Sequence, residues 1–248
     1  MKKFTLAALL LASATIMSAQ TKSLRISTYN GTDIEKYDGQ EMNVSLDRYV
    51  FTGWNTVCFP FSLTQEQLNT YFGNDCKLES LNGVSNESNT LYLNFQDAKA
   101  GGIQANVPYI LYYTGESKSI SIKADETKVI YDATPEEVFS LNDINIKFAG
   151  TQSLLQSEGL YGILAADNSE SNFVKIDADK SGFLATRCYI SVEGMENVNI
   201  VALHNEATGI KFTRSANEAN TIYTINGIQQ EKTQKGVNII NGKKVLVK

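Results

Sequence analysis

The sequence predicts an all-β fold: a β-sandwich-like body of many short antiparallel strands with one short helix over about 64–72, followed by a small C-terminal β-hairpin unit. Three observations lead there. Apolar residues recur at every second position, as in Thr90-Leu91-Tyr92-Leu93-Asn94-Phe95 and Ser119-Ile120-Ser121-Ile122-Lys123, and a period of two puts one set of side chains on one face of a strand. Gly, Asn and Asp turns separate these windows, which favours a sandwich or barrel over βαβ units. Only one segment carries both start and stop signals for a helix.

In chain order, Met1-Lys2-Lys3 precedes an apolar and small-residue stretch over 4–11 and then Ala12-Ser13-Ala14-Thr15-Ile16-Met17-Ser18-Ala19, the layout of a secretory signal peptide. The small Ala19 and the polar Gln20-Thr21-Lys22 beyond it place cleavage between Ala19 and Gln20, with cleavage after Ala14 as the alternative. No cysteine lies near the cleavage site to accept lipid, and no later run approaches the roughly 18 apolar residues of a spanning helix. The mature chain is expected to be exported, with no membrane span.

The body occupies 20–204, as one domain or two subdomains. Strands are predicted at 24–28, 42–46, 49–51, 55–59, 77–81, 90–95, 109–113, 119–123, 144–148, 160–165, 173–176, 187–192 and 198–203. Thr64-Gln65-Glu66-Gln67 has capping-box spacing, Leu68, Tyr71 and Phe72 supply an apolar face, and Gly73 stops the helix. A second, single helical turn is predicted from Thr134-Pro135-Glu136-Glu137 to just before Ser140, because proline suits the first helical position and acids suit the first turn. Over 205–220 the chain turns polar and loses its periodicity, which reads as a linker. The tail, 221–248, reads as three strands with turn dipeptides Asn226-Gly227 and Asn241-Gly242.

Without Lys2 and Lys3 the chain has 20 basic and 27 acidic residues, a net charge of −7, which disfavours nucleic acid and anionic membranes as partners. About 229 residues remain after Ala19, enough to bury a core without disulfides. Cys58, Cys76 and Cys188 are odd in number, so at most one internal disulfide can form, and the sequence leaves open whether one does. Cys58, in an apolar strand, reads as a small buried hydrophobe.

No catalytic, cofactor-binding or metal-binding residues are assigned. His204 is the only histidine, so a histidine metal cluster is excluded and any hydrolase triad would have to use it; no Gly-x-Ser-x-Gly elbow is present, and a surface or packing role is expected. Neither standard phosphate-loop spacing occurs. Asp177-Ala178-Asp179-Lys180-Ser181-Gly182 mimics the start of a calcium loop, but the twelfth position is Cys188 rather than a bidentate Glu, and the expectation is a polar turn. Trp54 with Tyr109, Tyr112 and Tyr113 could form a sugar platform, yet alternation puts Tyr109, Leu111 and Tyr113 on one face and Ile110 with Tyr112 on the other, so core packing is expected. Two carboxylates brought together by folding would leave no sequence signature.

The tail segments Ile222-Tyr223-Thr224-Ile225-Asn226-Gly227 and Lys235-Gly236-Val237-Asn238-Ile239-Ile240-Asn241-Gly242-Lys243-Lys244-Val245-Leu246-Val247-Lys248 resemble the C-terminal sorting modules of proteins secreted by the Bacteroidetes type IX route. The likeness covers about the last 28 residues and lacks the longer, Pro-containing first half of fuller modules. It implies an outer-membrane secretion machinery as partner and a cell-surface or extracellular destination. In the body, Tyr37-Asp38-Gly39, Arg48, Gly53-Trp54-Asn55-Thr56-Val57-Cys58-Phe59-Pro60-Phe61 and Val107-Pro108-Tyr109-Ile110-Leu111 are similar to a β-module of uncharacterised secreted Bacteroidetes proteins, which brings no activity with it.

The expected function is therefore that of a secreted or cell-surface, non-enzymatic β-protein acting by binding or assembly, on a glycan or another surface protein, with an export or attachment tail. The alternatives are a carbohydrate-binding module of a glycan-utilisation system and a glycan-acting hydrolase.

Overall fold

Alternation decides which face a strand buries, and the body uses it to stack three sheets. The computed structural model describes residues 22–29, 32–164, 170–176 and 182–205 and, in the tail, 222–224, 229–230, 235–240 and 243–247. The expected cleavage site at Ala19 and Gln20, nearly all of the linker and the loop Asp177 to Ser181 lie outside these residues.

The first sheet runs β1-β2-β7, from β1 (Ser23–Ser27), β2 (Glu41–Val50) and β7 (Lys118–Lys128). In β2 every second residue, Met42, Val44, Leu46, Arg48 and Val50, is buried, so the window predicted at 49–51 is the end of this strand rather than a strand of its own. The second sheet holds β3 (Gly53–Val57), β4 (Lys77–Glu87), β5 (Thr90–Asp97), β6 (Tyr109–Tyr113) and β13 (Asn199–Asn205), in the order β13-β5-β4-β6-β3. The third holds β8 (Glu136–Leu141), β9 (Ile144–Gly150), β10 (Tyr161–Ile163), β11 (Phe173–Lys175) and β12 (Cys188–Glu193), in the order β11-β10-β12-β9-β8. Most neighbours are antiparallel, as expected; β1 with β2 and β13 with β5 are parallel.

The second sheet is the middle layer. Val57, Leu78, Tyr109, Leu111 and Tyr113 face the first sheet, while Trp54, Leu81, Leu91, Phe95 and Ile110 face the third. All five residues of β3 are buried, because a strand of the middle layer is covered on both faces, even at the sheet edge, and loses the polar side of its alternation. Each fully buried Leu or Phe contributes about 1.5–3 kcal/mol, so two packed interlayers supply most of the drive to fold.

Helix α1 (Gln65–Phe72) forms as predicted: the Thr64 Oγ1 accepts from the Gln67 N–H at 3.3 Å, the Gln67 side chain accepts from the Thr64 N–H at 2.9 Å, and Gly73 ends it at φ 88°. Leu68 and Phe72 close one end of the first interlayer. The second predicted helical turn is overturned: Glu136 to Leu141 form strand β8, paired residue for residue with β9. The Pro135 carbonyl accepts from the Gly150 N–H at 2.7 Å, so sheet pairing outweighs the local helix-start signal.

The tail forms its own four-stranded antiparallel sheet in the order β15-β14-β16-β17, with β14 (Ile222–Thr224), β15 (Gln229–Gln230), β16 (Gly236–Ile240) and β17 (Lys243–Val247). That is one short strand more than the three predicted.

Candidate functional site

Polar chemistry collects in the second interlayer. Glu79 and Leu81 share a face of β4 and look toward the third sheet, which leaves a carboxylate 6 % exposed among apolar neighbours. A buried acid needs partners that satisfy it. Its partner is His204 at the exposed end of β13, beside Phe95 in the parallel β13–β5 pair. His204 Nδ1 lies 2.6 Å from Glu79 Oε2, and His204 Nε2 lies 2.5 Å from Ser171 Oγ. A carboxylate only accepts, so Nδ1 carries the proton that points to Glu79, and in the neutral ring Nε2 is left to accept from the Ser171 hydroxyl. The indole of Trp54 stacks on the imidazole at 4.4 Å between centroids and 15° between planes.

Ser171 comes from the segment leading into β11 in the third sheet, and Glu79, His204 and Trp54 come from the middle sheet. The imidazole thus bridges two layers. Order and distances follow the serine–histidine–carboxylate relay of acyl-transfer enzymes, but burial does not grade along it: Glu79 and Ser171 are both buried, and the opening to solvent is at the His204 side chain, 29 % exposed. Ser171 is 4 % exposed, so a substrate would have to reach it past the imidazole edge. Sequence reasoning gave His204 a surface or packing role and did not single out Glu79 or Ser171. One available signal was Glu79 itself, an acid sharing its strand face with Leu81.

A second polar group sits where β2 meets β3 and the approach to β12. Arg48 is 2 % exposed, donates to the carbonyls of Thr56 at 3.0 Å and Thr186 at 3.3 Å, and lies 5.4 Å from the Phe59 ring centre. Burial, and then the neighbouring Arg187, push its pKa well below the usual guanidinium value. Burial also lowers Arg187, to about 10, and it donates to the Tyr49 carbonyl at 2.7 Å. Between them these arginines tie the first sheet to β3 of the middle sheet and to the segment leading into β12, the central strand of the third.

A shallow groove of about 350 Å³ brings Asp97 and Glu137 together with Gln104, Val107 and Tyr109. Desolvation raises the Glu137 carboxyl to about 7, well above the usual carboxylate range. A second groove, of about 530 Å³, runs along the start of α1 beside Asp125 and Glu126.

The aromatic platform fails as a sugar site. Tyr109 and Tyr113 are buried in the first interlayer and Trp54 in the second, with Tyr112 half-buried against Trp54. All three thiols, Cys58, Cys76 and Cys188, are buried and free. Among the described residues no three His, Cys, Asp or Glu side chains gather at metal-binding distances, and no helix is long and apolar enough to cross a membrane. No known family, curated protein or solved structure matches the chain.

Proposed function

We propose that the protein is exported to the cell surface or released from it, acts there by binding or assembly, and carries in its tail the element that directs export or attachment. The observation that carries this reading is the tail sheet: among the described residues, strands β14 to β17 pair only with one another, apart from the three body sheets. A unit closed in its own hydrogen bonds suits a signal read by another machine, here the outer-membrane secretion machinery that the sorting-module resemblance implies. Together with the signal-peptide layout at Met1 to Ala19, it supports a body that is cargo and a tail that is address.

For the body, two sheet edges support binding or assembly. Among the described residues, strands β13 and β11 are the edges of their sheets, and each exposes an apolar side chain, Leu203 and Val174. Open edges with apolar rims favour strand addition by a partner. Deletion of 221–248 in the native host is expected to shift the protein from the surface or medium to the periplasm. An unchanged distribution would remove the tail's proposed role.

A second reading rests on the 2.5 and 2.6 Å contacts of His204: an acyl-ester hydrolase. In that chemistry the Ser171 oxygen bonds to the acyl carbon as its proton passes to Nε2, and Nε2 then protonates the departing alkoxide. Water repeats the sequence to release the acid. A fluorophosphonate probe should then label Ser171 in the folded protein and should not label it in His204→Ala. Failure to label the folded wild-type chain would end that reading.

A further inference from the structure

Three thiols lie inside the body, and the fold treats them unequally. Cys76 packs in the first interlayer near Leu78, while Cys58 and Cys188 both belong to the second. Cys58 directly follows β3 of the middle sheet, and Cys188 opens β12 of the third sheet. The Cys58 N–H donates to the Thr186 carbonyl at 3.2 Å, and the Cys188 N–H donates to Thr56 Oγ1 at 2.9 Å, so the two segments are locked against each other at both ends.

Gly150 makes the room. It stands directly opposite Cys188 in the β9–β12 pair, and a Cβ on it would lie 2.2 Å from Cys58 Sγ. The Cys58 side chain therefore occupies the space above the residue that neighbours Cys188 across the ladder. The Cys188 Sγ points back to the middle sheet, donating to the Tyr109 carbonyl at 3.8 Å, and Tyr109 stands opposite Val57, the residue before Cys58.

We propose that Cys58 and Cys188 are joined as a disulfide that staples the middle sheet to the third sheet, with Cys76 left as the free thiol. This resolves which cysteine stays unpaired in an odd set of three. The inference rests on the export reading, because such bonds persist in oxidising compartments.

The step removes two protons and two electrons. The Cys58 S–H and Cys188 S–H bonds break, one S–S bond forms, and a disulfide-bearing oxidant is reduced to its dithiol through a mixed disulfide. Timing follows from burial: both sulfurs are shielded from water, and the neighbouring Cys188 thiol, and then burial, push the Cys58 pKa well up. Attack requires a thiolate, so the bond has to form before the two sheets close, and once they close it resists external reductant.

The test uses the full mature chain, refolded in a glutathione redox buffer and also recovered from its native compartment. Alkylation under denaturing conditions without reductant should modify Cys76 alone, the intact mass should be about 2 Da below that of the reduced chain, and digestion should yield one cross-linked peptide pair containing Cys58 and Cys188. Folded protein should keep the bond in millimolar dithiothreitol and lose it in the same reductant with denaturant. Cys76→Ser should leave the link intact and abolish alkylation. Three alkylated cysteines after refolding, or a cross-link through Cys76, would overturn the proposal. If the refolded chain forms the link but the native chain is found reduced inside the cytoplasm, the geometry stands and the export reading fails.

Discussion

The two interlayers of the body are built from the same middle sheet but held by different means. The first, under β1, β2 and β7, is filled by Phe59, Phe61, Leu46, Leu78 and Leu111 and is closed at one end by α1. The second has a comparable apolar floor in Phe95, Phe148, Leu93 and Ile190, yet it also contains the Glu79–His204–Ser171 chain and the Cys58–Cys188 pair. Apolar packing is tolerant of register and neighbour. Buried hydrogen-bonded groups are satisfied in one arrangement only, and breaking them strands a polar atom at a cost of about 1–3 kcal/mol. The first interlayer is held mainly by apolar packing, with the buried Arg48 guanidinium on the Thr56 and Thr186 carbonyls as a polar tie, and the second adds a chain of side-chain to side-chain contacts that fixes how two sheets meet.

The largest expected effects test what the interlayers share. Phe59→Ala in the first and Phe95→Ala in the second should each cost about 3–5 kcal/mol in urea unfolding. Because both residues pack on one middle sheet, each variant should shift a single transition. Two separable transitions would make the layers independent units.

The next effect separates them. Glu79→Ala leaves the imidazole of His204 without its acceptor and should cost about 2–3 kcal/mol, and a double-mutant cycle with His204→Ala should return a coupling of about 1 kcal/mol or more. At the exposed rim of the first interlayer the Tyr71 hydroxyl is paired with the Lys123 backbone at 2.8 and 2.9 Å, and Tyr71→Phe should cost only about 1 kcal/mol. Equal losses at the two sites would contradict the contrast.

Two smaller effects follow. Thr64→Ala removes half of the capping box and should cost about 1 kcal/mol, measured as a lowered urea midpoint with an unchanged slope. Glu137 gives a pH dependence. Its folded carboxyl is raised to about 7 against an unfolded value near 4.5, so its favourable contribution is complete below about 4.5 and is lost as pH rises through 7. Since the carboxyl is partly open to water, the loss should be about 1 kcal/mol rather than the full value of the shift. Glu137→Gln should flatten that part of the stability profile, and a profile identical to wild type would dismiss the buried carboxyl as its source.

Local patterns were legible because they depend on neighbours in sequence. The alternation at 90–95 and 119–123 and the capping box at Thr64 all reappear in the structure. Layering was less legible, since β3 is buried on both faces and has no alternation to read. Pro135 misled because its ring suits a helix start, whereas the pairing of β8 with β9 is a contact the local sequence does not encode. The Glu79–His204–Ser171 chain was hidden for the same reason: its members are separated by 125 and 33 residues and meet only when two sheets close. The Cys58–Cys188 contact likewise depends on Gly150 standing opposite Cys188, a matter of register rather than of motif.

Mass spectrometry of the native protein, taken from cell-surface, medium and cytoplasmic fractions of its host, tests the central claim most directly. The account predicts a chain beginning at Gln20 in the surface or medium fraction. A chain beginning at Met1 and confined to the cytoplasm would contradict it.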